Sequence, residues 1–148
     1  MSEIIFQNCE MIYMSMGRGG GCFLVSESET AAEYSYYSYD LDSPEHRNEA
    51  RLCDGLIAID KAALPEADIH IRIKRGKNGK KRRIEKRIAV DTDLDRLIAE
   101  KRIRISNTSN VWRKLPDGTD IIASSLCRKI FRLYQENGEL PQKVYYDI

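Results

Sequence analysis

The sequence has no uncharged run longer than the eight residues at 19–26 or 105–112. A transmembrane helix needs about 20 apolar residues, so none is expected, and no membrane partner is assigned. The first ten residues, MSEIIFQNCE, carry acids and no base, which argues against a secretory signal and for a cytoplasmic location. The four cysteines, Cys9, Cys22, Cys53 and Cys127, form no CxxC pair, so a zinc site is not expected. Buried free thiols are the expectation, with a Cys9–Cys22 disulfide as the alternative. Gly17-Arg18-Gly19-Gly20-Gly21 lacks the Lys-Ser/Thr end of a phosphate-binding loop and reads as a flexible hairpin loop. Cys22 beside it has no histidine placed in sequence to activate it. His46 and His70 are the only histidines, thin support for a two-histidine ribonuclease. Asp91, Asp93 and Asp95 suit the first turn of a helix better than a magnesium cluster. Trp112, flanked by Val111, reads as a core residue rather than a base-stacking one. No catalytic residue, metal or cofactor is assigned.

What is present suits one globular domain, residues 1–148. Of these residues 42% are hydrophobic and 32% charged. A chain of this length can bury roughly 68–70% of its unfolded surface and needs no staple to fold. The formal net charge of +1 hides an asymmetry: residues 1–62 carry −7 and residues 63–148 carry +8. Such a split speaks to partners rather than to fold.

Strands are expected at 3–14, 22–26 and 34–39, the first two forming a hairpin around the glycines. Ser43-Pro44 is a helix-start signal, and the spacing of Ala50, Cys53, Leu56 and Ile57 predicts a helix over about 44–62. Residues 56–59 read as a strand in the alternative. A β-hairpin is expected over 68–90, turning at Gly76-Lys77-Asn78-Gly79-Lys80. Its isoleucines (69, 71, 73, 84, 88) are expected on one greasy face and its charges on the other. Further elements are a helix at 93–102, a strand at 103–105, a helix at about 120–136 capped by Asn137-Gly138, and a strand at 144–146. The expected fold is α+β: a mostly antiparallel or mixed sheet with about three helices packed on it and a prominent basic hairpin at 68–90.

Two segments point to partners. From Arg72 to Arg87 ten bases stand against the single acid Glu85. Arg72, Lys74, Arg75, Lys77, Lys80, Lys81, Arg82, Arg83 and Arg87 are the candidate contacts to a polyanion or an acidic partner, because each base that meets a phosphate releases counterions. From Glu27 to Glu45 six acids and four tyrosines meet no base. Glu33, Tyr34, Tyr36, Tyr37, Tyr39, Asp40 and Asp42 are the candidate contacts to a basic protein, since tyrosine adds contact area at little entropy cost. The first expectation is a non-enzymatic inhibitor module, like the immunity proteins of bacterial toxin systems. It would neutralise a toxin, such as a nuclease, by covering its surface. The alternative is a nucleic-acid-binding protein that grips phosphates with hairpin 72–87. The sequence carries no signal of oligomeric state.

Overall fold

A computed structural model of the chain describes residues 17–148. The expected strand at 3–14, its pairing with 22–26, and Cys9 lie outside the described residues. Five strands form one sheet in the order β6-β3-β2-β1-β7: β1 (Arg18–Glu27), β2 (Ala31–Asp40), β3 (Gly55–Asp60), β6 (Ile103–Ser106) and β7 (Lys143–Asp147). Every neighbouring pair is antiparallel. Two α-helices accompany it among the described residues, α1 (Leu94–Ala99) and the long α2 (Ile121–Asn137), rather than the three expected. β4 (Asp68–Arg75) and β5 (Lys81–Ile88) form a separate two-stranded sheet. The class is α+β with antiparallel sheets.

α2 forms where apolar residues recur three and four apart. Ile122, Ala123, Leu126, Cys127, Ile130 and Phe131 are all buried. They meet the even face of β2, where Tyr34 and Tyr36 lie, together with Cys22, Ile57, Ile59, Ile103 and Val144. Each large side chain so buried contributes roughly 1.5–3 kcal/mol as an upper estimate. Asp120 caps the start, accepting from the Ile122 backbone N–H at 2.9 Å. Gly138 ends the helix at φ 79°, a left-handed conformation that costs glycine no Cβ clash, and donates its N–H to Tyr134 at 2.7 Å.

The loop expected at Gly17–Gly21 is instead the start of β1. The glycines belong there because neighbours crowd them. A Cβ on Gly20 would lie 2.6 Å from Ile122 Cγ2, so the missing side chain lets α2 approach the sheet. Leu24 pairs with Tyr34 but Ser26 pairs with Glu33, which leaves Val25 as the extra residue of a β-bulge.

The helix expected over 44–62 does not form. Pro44–His46 makes a 3-10 turn and Lys61–Ala63 another at the far end; between them Asn48 and Arg51 take positive φ of 45° and 53°, which breaks any helical run. Gly55 then opens β3, directly opposite Tyr36, whose ring packs so closely that a Cβ at Gly55 would lie 2.2 Å from Cε1. Ile57 and Ile59 add β-branched weight to a strand.

A buried polar network joins the sheet to α2. Tyr36 donates its hydroxyl to Asp120 Oδ2 at 3.0 Å and accepts the Thr108 backbone N–H at 2.9 Å. Burial pushes the Asp120 carboxyl above its ordinary range, against the hydrogen bonds from Ile122 and Tyr36. Cys22 and Cys127 are buried free thiols and Cys53 is partly exposed. Burial pushes the Cys22 thiol up to about 12, which leaves it inert as a nucleophile. No described helix is long and apolar enough to cross a membrane.

Candidate functional site

β3 and β6 are neighbours in the main sheet, yet more than forty residues separate them in sequence. The β4–β5 ribbon is an excursion within that connection. Its eight residues per strand at about 3.3 Å each give a reach of about 26 Å. Every residue of β4 is exposed, and in β5 only Ile84 and Arg87 are partly covered.

The ribbon is held at its root by α2. Gln135, 2% exposed, accepts the Val90 backbone N–H on Oε1 at 2.6 Å and donates Nε2 to the Val90 carbonyl at 3.2 Å. Arg87 Nε donates to the Gln135 carbonyl at 2.8 Å. One buried amide therefore clamps the exit from β5, and Arg87 serves as part of that anchor.

The tip sets the register. Gly79 N–H bonds to the Gly76 carbonyl at 3.0 Å and Gly76 N–H to Lys80 at 2.8 Å, with Gly79 at φ 76°. The loop is thus the three residues 77–79. A two-residue Asn-Gly turn would pair Lys77 with Lys80 and set Ile73 opposite Ile84. Instead Ile73 pairs with Arg83, Ile71 with Glu85 and Ile69 with Arg87. The expected greasy face is therefore absent, because a one-residue change of register moves a strand's side chains to the other face. One face carries Ile69, Ile71, Ile73 and Arg75 with Lys81, Arg83, Glu85 and Arg87. The other carries His70, Arg72 and Lys74 with Arg82, Ile84, Lys86 and Ile88. Bases line both.

Among the described residues these bases have almost no acidic partners. The one ion pair within the ribbon is Arg83–Glu85 at 3.9 Å, between exposed side chains, and worth little. A hollow of about 590 Å³ at the tip is lined by Lys74, Arg75, Lys77, Lys80, Lys81 and Arg82, with Gly76 and Asn78. Two bases on α2 stand apart from the tip, at the ribbon's root: exposed Arg128 and Arg132 line a cleft with Val90, Asp91 and Thr92, and Arg132 lies 3.9 Å from Glu136. Their i, i+4 spacing on the polar side of a recognisable helix was the available signal, and sequence reasoning passed over it.

The acidic tyrosine segment is split by strand alternation. Tyr34 and Tyr36 are fully buried beneath α2, and Tyr34 donates its hydroxyl to Pro141 at 2.7 Å. Asp40 is 6% exposed and pairs with Arg18 at 3.4 Å. Tyr37 and Tyr39 lie on the opposite sheet face, so the tyrosines do not form one aromatic face. There Phe23 meets Tyr37 at 6.4 Å and Tyr145 at 6.1 Å, Tyr37 meets Tyr39 at 6.3 Å, and Arg51 covers Tyr39 at 4.0 Å. Neither described α-helix packs on that face. Glu33 and Asp42 are exposed.

No family model, curated protein or solved structure matches the chain.

The remaining candidates stand apart. His46 lies in the 3-10 turn after β2 and His70 in β4, on different elements. Asp93 caps α1 by accepting the Arg96 N–H at 3.1 Å. Trp112 is half-buried against the core, with Arg18 5.3 Å from its ring centroid. Among the described residues no three His, Cys, Asp or Glu side chains are placed to hold a metal ion.

Proposed function

We propose that the protein binds nucleic acid, with the β4–β5 ribbon as the phosphate-gripping element. One observation carries this reading: beyond its anchor on α2 the ribbon projects with nine bases besides Arg87, a single internal ion pair and every β4 residue exposed. Unpaired bases on a projecting ribbon are free to replace the counterions of a polyanion. The ribbon adds nothing to the main sheet's pairing, so core packing does not account for it.

The test is a fluorescence-anisotropy titration with short duplex DNA and single-stranded RNA at about 50 and 200 mM salt. Binding should be tight at the lower salt and fall steeply at the higher. Lys80→Glu with Lys81→Glu should weaken it by about tenfold or more. Thermal stability should move by no more than about 0.5 kcal/mol, as for other exposed positions. Unchanged affinity in that variant, or no binding at low salt, would sink the reading.

A second reading, the protein-binding inhibitor module, draws support from the Phe23–Tyr37–Tyr39–Tyr145 array, where Tyr145 is 49% exposed. The interaction surface would then comprise Tyr39, Phe23 and Tyr145 with Glu33, while Tyr37, 8% exposed, would back it from beneath. Tyr34 and Tyr36 would act only as core. Affinity capture with Tyr145→Ala and Phe23→Ala variants checks it: a partner retained by both variants counts against this face.

A further inference from the structure

The ribbon carries a feature that phosphate binding leaves unexplained. Ile69, Ile71 and Ile73 are 47%, 52% and 70% exposed along a single face. Exposed isoleucines on an unpaired strand edge invite aggregation. An isolated two-stranded hairpin is also only marginally stable in water without something packed against it. A ligand that covers this face must offer apolar ground between rows of negative charge, because Arg75, Lys81 and Arg83 share the face.

We infer that this ligand is B-form duplex DNA, taken in the major groove with the isoleucine face turned to the base edges. The inference rests on the nucleic-acid reading above and narrows its ligand. The major groove is about 12 Å wide and admits a two-stranded ribbon, and its floor presents thymine methyl groups. The minor groove, about 6 Å wide, and the deep narrow major groove of duplex RNA do not offer that fit. Arg75, Lys81 and Arg83 on the same face, with Lys77 and Lys80 at the tip, meet the phosphate walls and base edges. Glu85, on the same face opposite Ile71, can accept a hydrogen bond from a cytosine amino group. Arg72, Lys74, Arg82 and Lys86 face away and supply the field that draws the ribbon to the duplex.

Three probes test this: a duplex DNA of about 20 base pairs, its single strand, and a duplex RNA of the same sequence. The wild-type protein should prefer the DNA duplex by about tenfold or more. Ile71→Thr with Ile73→Thr keeps strand propensity and should weaken duplex-DNA binding about tenfold with an unchanged salt slope, since no charge is lost. Replacing thymine by uracil in the duplex removes methyls found only in the major groove, and should weaken binding without altering the protein. Unchanged affinity in the uracil duplex, or equal affinity for all three probes, overturns the groove inference. The phosphate reading then stands or falls separately on Lys80→Glu with Lys81→Glu. Self-association that the isoleucine substitutions abolish, with DNA affinity retained, also overturns it and assigns the isoleucines to a second copy of the chain.

Discussion

Tyr36 ties three parts of the molecule through one hydroxyl: its own strand, the Asp120 cap of α2, and the Thr108 backbone. Replacing it with Phe leaves the ring over Gly55 but strands a buried acceptor and a buried N–H. The expected cost is about 1–3 kcal/mol in urea denaturation, because unpaired buried polar groups bear their full desolvation penalty. Asp54 offers a pH-dependent counterpart. Burial pushes its carboxyl up, but bonds from the Ser109 and Thr108 hydroxyls and the Ser109 N–H outweigh this and hold it below 3.8. Its contribution is therefore present above pH 3.8 and lost as pH falls through the lower folded value. Asp120 has the opposite sign, since its raised value makes the ionised form costly in the fold. The wild-type acid profile mixes the two, so a difference is the useful measurement. Asp54→Asn should be less stable than wild type at about pH 6, with the gap closing below about pH 4. A gap that stays constant on acidification would mean that the Asp54 bonds are not those of a carboxylate.

At the scale of elements, legibility followed how local the cause was. α2 and its C-terminal end were readable because the three-four apolar spacing and Asn137-Gly138 act within a few residues, whereas the Asp120 cap was not read from the sequence. The β4–β5 hairpin limits were readable for the same reason. The helix expected over 44–62 failed because Asn48 and Arg51 turn the chain and because Gly55 pairs with Tyr36, nineteen residues away, whose ring leaves room only for glycine there. The glycines at 19–21 looked like a loop because the strands and helix that crowd them are remote in sequence. The phosphate candidates were legible as a charge count, but their division between two faces was not, since Asn78-Gly79 permits two turn lengths. That ambiguity yields a direct expectation. Nuclear Overhauser contacts should place Ile73 beside Arg83 and Ile71 beside Glu85. Contacts between Ile73 and Ile84 side chains would instead reveal the slipped register, in which all the isoleucines gather on one face and the groove inference loses its geometry.

For the whole molecule the charge split falls between ribbon and body rather than between chain halves. Residues 68–88 carry a net +8, which leaves −7 on everything else. An acidic body repels a phosphate backbone, so non-specific attachment through the rest of the surface is disfavoured and the ribbon presents itself first. Arg128 and Arg132 at the ribbon's root are the local exception. The arrangement makes the salt dependence a count of engaged bases. Docking by one face uses Arg75, Lys81 and Arg83 with Lys77 and Lys80 at the tip, about five phosphates at most. At about 0.9 per phosphate the slope of log affinity against log salt is then about −4.5, and a fourfold rise in salt weakens binding roughly 500-fold. Wrapping the duplex with both faces engages nearly all ten bases and steepens the slope to about −9. A slope near −4.5 that flattens by about 2 in Lys80→Glu with Lys81→Glu fits the single-face geometry. A slope near −9 means that the ribbon is enclosed by nucleic acid on both sides, and the isoleucine face then loses its distinction as the reading face.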